Sequence, residues 1–181
     1  MILSPATGPK KTKANMTNQH IKRHRRIYEK ALFLDAFIKE YQKVRGRKTF
    51  PHKEVRILIH FLFPGSSISG RGAFKTVHKV YSRARHLVLK TSSPKNIRND
   101  WRAYNKIPET LRNRYFAKIY WKTKYCLLQQ FGTKRTVPPK ALCGLKRIAR
   151  EHELTDIRPA NIRKVDGHFK IVDANIARQK H

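Results

Sequence analysis

Apolar positions change their spacing several times along this chain, and each change predicts an element. Between residues 20 and 45, Ile27, Leu34, Phe37, Ile38, Tyr41 and Val44 form one broad stripe with a basic back, which predicts an amphipathic helix ended by Gly46. A second helix is predicted from Pro51 to Leu62, stopped by Pro64-Gly65. The spacing then shortens. Leu87-Val88-Leu89 reads as a buried strand ending in Lys90, and the runs from Tyr115 to Tyr120 and from Tyr125 to Phe131 read as two more, the last meeting Gly132. Asp100 to Ile107 fits a short helix with Trp101, Tyr104 and Ile107 on its apolar side and Pro108 at its end. Val137-Pro138-Pro139 opens a longer helix on which Leu142, Leu145, Ile148, Ala149 and His152 share a face. Ile162 to Val165 and Phe169 to Val172 flank Asp166-Gly167, the strongest hairpin signal in the chain. The expected class is α+β.

Length and composition bound this picture. At 181 residues with 39% hydrophobic and 10% aromatic content, one compact domain with its own core is expected. The charge is extreme. Forty-two Lys and Arg stand against 11 Asp and Glu, a net +31, and such self-repulsion is tolerated where polyanions neutralise it, so RNA, DNA or another polyanion is an expected partner beside any nucleotide. The first eighteen residues, with Pro5, Gly8, Pro9, Lys10, Lys11 and Lys13, read as a basic arm; residues 19–65 are expected to form a helical extension and 66–181 the main domain. Two cysteines without metal-ligand spacing argue against a disulfide scaffold or zinc site and fit a reducing, cytoplasmic setting. His20 and His24 sit among Lys22, Arg23, Arg25 and Arg26 and are expected on a solvated basic face. No signal-peptide core is visible, and the longest apolar run, Ile57 to Phe63, is too short to span a bilayer.

The chemistry gathers in the last quarter. Asp156 is followed five residues on by Asn161 and twelve beyond that by Asp173, and the hairpin would carry Asn161 and Asp173 to the same end, where an amide and a carboxylate oxygen could share one metal ion. Upstream stand Gly70 and Gly72 in Ser69-Gly70-Arg71-Gly72-Ala73-Phe74-Lys75-Thr76-Val77, and then Lys90 and Asp100. Beyond residue 60 the chain has only seven acids, and three of them are Asp100, Asp156 and Asp173.

This ordered set, from about residue 66 to 175, resembles the protein-kinase-like superfamily. The resemblance implies a minimal two-lobe fold: an antiparallel sheet first lobe, a reduced helical second lobe and, here, the N-terminal helical extension. It implies ATP and Mg²⁺ as ligands and phosphoryl transfer as the activity. Gly70 and Gly72 would approach the phosphates, Val77 would cover the adenine, and Gln130 and Phe131 would neighbour it at the hinge. Lys90 would grip the α and β phosphates with Asp100 as its orienting acid. Asn161 and Asp173 would hold magnesium, Asp156 would position the acceptor, and Arg158 would stabilise the transferred phosphate. Within that superfamily the chain resembles short bacterial kinase-like proteins, including the PhoP-regulated group.

The pattern departs from the family in three places. Lys75 stands where the third glycine would be, Leu154-Thr155 replaces the usual His-Arg, and Ala174-Asn175 follows Asp173 in place of Phe-Gly. With only eight residues after Asp173, the usual activation segment and protein-substrate platform are expected to be missing. The apolar face at 139–153 would then need another cover, and residues 20–63 are expected either to supply it or to brace the first lobe. A non-catalytic basic RNA- or ribosome-binding module on the same scaffold is the alternative function.

Overall fold

The computed structural model describes residues 13–46, 48–71, 75–82 and 85–177, without the side chains of 13–17, 71, 82 and 85. Three helices come first: α1 (Lys13–Arg23), α2 (Arg25–Val44) and α3 (His52–Leu62). Then follow β1 (Ser67–Arg71), β2 (Lys75–Ser82), β3 (Arg85–Ser92), α4 (Pro94–Lys106), α5 (Glu109–Tyr115), β4 (Ile119–Lys122) and β5 (Cys126–Gln130). The last segment holds α6 (Pro139–Glu151), β6 (Leu154–Thr155), a 3₁₀ turn (Pro159–Asn161), β7 (Ile162–Val165), β8 (His168–Ile171) and β9 (Asn175–Ile176). Strands β1 to β5 form one antiparallel sheet in the order β1-β2-β3-β5-β4, and the pairs β6-β9 and β7-β8 stand apart from it. The mixed α+β class expected from the sequence is therefore seen.

The expected long first helix breaks at His24, whose φ of −118° and ψ of 32° separate α1 from α2. Aromatic packing explains the break. His24 is buried, and it and His20 stack edge-on against Tyr120 with ring centroids 4.9 and 5.4 Å away, so neither lies on the solvated face expected for it. Residues 13–18 of the expected arm belong to α1, and its first twelve residues lie outside the described region. The expected strand from Tyr115 is also corrected. Tyr115 closes α5, and the strand starts only at Ile119. α4 starts at Pro94, earlier than expected, because Ser93 caps it, accepting a hydrogen bond from the Asn96 amide, with Pro94 in the first turn.

Side-chain alternation gives the sheet two faces with different fates. Val80, Leu87, Leu89, Cys126 and Leu128 pack with Ile27, Ala31, Leu34, Ile38, Val55 and Ile59 of the helices into one core. α1–α3 thus brace the sheet. They do not cover α6, whose Leu145 and Ala149 are buried with Val137, Leu154, Ile157, Ile162 and Ile171 in a second core. Asp35 of α2 fastens the helices to the β4–β5 turn: its carboxylate accepts from Thr123 Oγ1 (2.9 Å), the Lys124 amide (2.8 Å) and the Tyr125 amide (3.1 Å). Burial nonetheless pushes the Asp35 carboxyl above its usual value.

On the same sheet face His78 is fully buried, with no hydrogen-bond partner for either ring nitrogen among the described residues. Burial first, then His60 and Arg56, lowers its pKa from 6.5 to about 4. The folded state therefore needs neutral His78, and this contribution is fully present above pH 6.5 and lost as the pH falls towards 4. His78→Leu should remove that penalty, so its melting temperature relative to the parent should rise as pH falls through this window. A gap that does not change with pH would refute the assignment.

Candidate functional site

The other sheet face carries the chemistry. Lys75, Val77 and Lys79 of β2 lie on it by alternation, with Thr76, His78 and Val80 turned to the helices. Val77 is opposite Lys90 in the β2–β3 ladder, so these strands deliver Lys75 and Lys90 to one place. α4 brings Asp100 to meet them, and the β7–β8 hairpin brings Asp173. Asp166 at φ 47° and Gly167 at φ 82° make the tight turn that Asp166-Gly167 predicts, Ile162 pairs with Ile171, and the Val172 amide donates to the Asn161 carbonyl at 2.9 Å.

Four charges meet there. Lys75 Nζ donates to Asp100 Oδ1 at 2.6 Å and to Asp173 Oδ1 at 2.9 Å, while Lys90 Nζ donates to the Val172 carbonyl at 2.6 Å and stands 3.6 Å from Asp100 Oδ2. Gln129 Nε2 donates to that carbonyl as well, at 3.2 Å, so two sheet side chains fix the residue preceding Asp173. Burial works against the charges of Asp100, Asp173 and Lys75. At Asp100 it wins and pushes the carboxyl up, although Lys90 and Lys75 oppose it. At Asp173 the two lysines outweigh it and hold the carboxyl below its usual value; at Lys75 the two aspartates outweigh it and hold the ammonium above. A cavity of about 20 Å³, room for one water-sized group, lies beside this cluster between Asp100, Tyr104, Gln129, Val172 and Asp173.

The 156–161 loop adjoins the cluster through the Asn161 carbonyl, which accepts from the Val172 amide, and through Arg158, whose charge acts on Asp173; it follows β6, in which Thr155 pairs with Asn175 of β9. Asp156 has a φ of 64°, a left-handed conformation that aspartate tolerates better than most residues. Asn161 Nδ2 holds it there, donating to the Asp156 carbonyl at 2.8 Å and to Oδ2 at 3.0 Å. The amide's donors are thus used on Asp156, which leaves its oxygen as the group able to meet a cation. Arg158 Nε lies 3.0 Å from Asp156 Oδ1 with its side chain 65% exposed, a pair that solvent screens and a competing anion can separate.

The structure brings Lys90, Asp100, Asp173, Asn161, Asp156, Arg158 and Val77 around one region. It does not bring Gln130 and Phe131 into the cluster. Gln130 donates to Asp166 Oδ2 at 2.7 Å and accepts from the Lys118 amide at 3.3 Å, and Phe131 packs against His86 and under Lys79. Gly70 lies in β1 opposite Val77, where a Cβ would meet Val77 at an ordinary 3.9 Å, so packing within the protein does not itself require glycine there; Gly72 lies outside the described residues. The expected Lys90–Asp100 pair is present but long. Sequence reasoning missed Lys75 as a site residue, although the two-residue period from Val77 puts it on the face of Lys90. Gln129 had no such signal, since only the hairpin's return brings Val172 to it.

Gly132 joins the sheet to this hairpin. A Cβ at Gly132 would come within 2.6 Å of both Arg163 Cβ and Val165 Cγ2, and the neighbouring Thr133 exchanges backbone hydrogen bonds of 2.9 Å with Lys164. Gly132→Ala is therefore expected to cost about 1–3 kcal/mol through forced separation of β5 from β7. That is a drop of some 2–12 °C in melting temperature for a chain of this size. An unchanged melting temperature would mean that Arg163 and Val165 yield to the added methyl at no cost.

Compared with known proteins, the chain matches no family model and no curated sequence. No helix among the described residues is long and apolar enough to cross a membrane.

Proposed function

We propose that the protein is a minimal kinase-like phosphotransferase that binds ATP with Mg²⁺, its acceptor unidentified. The observation that supports it most is the lysine–aspartate cluster tied to the Asp156–Asn161 loop through the Val172 amide, which donates to the Asn161 carbonyl. Asp173 and Asn161 present a carboxylate and an amide oxygen, hard donors of the kind Mg²⁺ shares with phosphate oxygens, and Lys75 already places a positive charge on Asp173. Bound Mg²⁺ would neutralise the nucleotide phosphates as charge develops. A lysine aimed by Asp100 would hold those phosphates, Asp156 would orient the acceptor hydroxyl, and Arg158, free to leave Asp156, would steady the transferred group. In this reading the five-stranded sheet is the first lobe, with α1–α3 braced on its outer face, and α6 with β6–β9 is the reduced second lobe. Titration of salt-stripped, nucleic-acid-free protein with ATP, with and without magnesium, tests the reading together with an assay for ATP turnover. No magnesium-dependent binding would defeat it.

The net charge of +31 favours a second reading, a basic module for RNA, DNA or a ribosomal surface on the same scaffold. With about six phosphate contacts, affinity for RNA should fall roughly a thousandfold between 50 and 200 mM salt. Salt-independent binding, or none at low salt, would remove nucleic acid from the partners.

A further inference from the structure

Two lysines reach the candidate nucleotide site from adjacent strands, and their surroundings divide the roles between them. Lys90 is sealed in. Its side chain is 5% exposed, its Nζ gives a 2.6 Å hydrogen bond to the Val172 carbonyl, and Asp100 Oδ2 is 3.6 Å away, beyond hydrogen-bond reach. To meet a phosphate, Lys90 would have to abandon a buried carbonyl, and a buried acceptor left unpaired is costly. Lys75 has the opposite setting. Its side chain is 16% exposed at the start of β2, and its Nζ bonds Asp100 Oδ1 at 2.6 Å and Asp173 Oδ1 at 2.9 Å. An ammonium that grips phosphates needs an acid to aim it and a path to the ligand, and of the two lysines only Lys75 has both.

We propose that Lys75 is the lysine that binds the nucleotide phosphates, and that Lys90 is a positioning residue that ties β3 to Val172 and offsets the buried charge of Asp100. The proposal rests on the nucleotide-binding reading above. It gives Asp173 a defined exchange: Lys75 Nζ leaves Asp173 Oδ1 for a phosphate oxygen, keeps Asp100 Oδ1, and frees the Asp173 carboxylate for a divalent cation. The residue in the third-glycine position of the phosphate loop is then part of the binding apparatus.

The experiment uses the full chain and compares ADP with magnesium against adenosine by titration calorimetry in the parent, Lys75→Met and Lys90→Met. Circular dichroism sets a temperature at which each variant is folded. The parent should prefer magnesium-ADP to adenosine by at least tenfold. Lys75→Met should lose that preference while binding adenosine as the parent does, and Lys90→Met should melt earlier yet keep the preference. If Lys90→Met does not fold, Lys90→Arg, which keeps the charge, takes its place and should keep the preference as well. A preference retained in Lys75→Met, or lost in a folded Lys90 variant, overturns the assignment and leaves the nucleotide reading standing. No preference in the parent defeats that reading, and the assignment falls with it.

Discussion

Leu34→Asp is expected to unfold the entire protein, the sheet and the C-terminal hairpin included. Leu34 has no exposed surface and sits in the core that α2 shares with Leu87, Leu89, Trp121 and Leu128. Removing a buried leucine side chain costs about 2–5 kcal/mol, and burying a carboxylate without a partner raises the total beyond the tail of ordinary substitutions. Against a typical domain stability of about 5–15 kcal/mol, little or none would remain. Leu32→Asp on the same helix is the control, since Leu32 is 45% exposed and should shift stability by no more than about 0.5 kcal/mol. The chain carries its own reporters: Trp121 lies in the core under the helices, and Trp101 packs against the second core. In Trp121→Phe, where Trp101 is the only tryptophan, urea unfolding followed by its fluorescence and by circular dichroism should give one midpoint. A Leu34→Asp protein in which Trp101 still reports a cooperative transition would show that α1–α3 are dispensable to the rest.

On the proposed nucleotide-binding function, Asp173→Asn is expected to abolish the magnesium dependence of binding. The amide keeps the shape but gives up the charge that a divalent cation needs, so the gain in ATP affinity on adding magnesium should shrink by about a hundredfold or more. Metal-free affinity should hold or improve, because a negative charge near the phosphates has gone. Asparagine is the better substitution for a structural reason. The sequence suggests that Asp173 meets only the ion, so that alanine would leave the fold intact; in the structure its carboxylate pairs with Lys75, and alanine would strip that lysine of one of its two partners. Calorimetric titration with ATP in EDTA and in magnesium measures both terms. An unchanged ratio between the two affinities would remove Asp173 from the proposed metal site.

Local signals carried much of the site. Asp166-Gly167 between two apolar runs predicts the hairpin, and the hairpin by itself forces Asn161 and Asp173 to one end, because Ile162 must then pair with Ile171. Lys90 at the end of an apolar run and Asp100 on a helix were legible as types. Their distances were not, since the placement of α4 against the sheet depends on packing of Ile97, Ala103 and Tyr104 in a core assembled from distant segments. The position of Gln130 and Phe131 at the end of β5 was readable, but their side-chain partners Asp166, His86 and Lys79 were not, since these arrive from elsewhere in the chain.

By itself the sequence determined the α+β class, the three amphipathic helices on Ile27–Ile38, Val55–Ile59 and Leu145–Ala149, the hairpin, and the concentration of scarce acids around one region, because period and turn chemistry act over a few residues. Tertiary structure alone decided that the first helices cover the sheet and not α6, that His24 breaks the helix to pack on Tyr120, and that Lys75 stands closer to both aspartates than Lys90 does. Each of these is a competition between segments far apart in the chain for the same buried surface or the same charge, and its outcome is fixed only when all the competitors are in place.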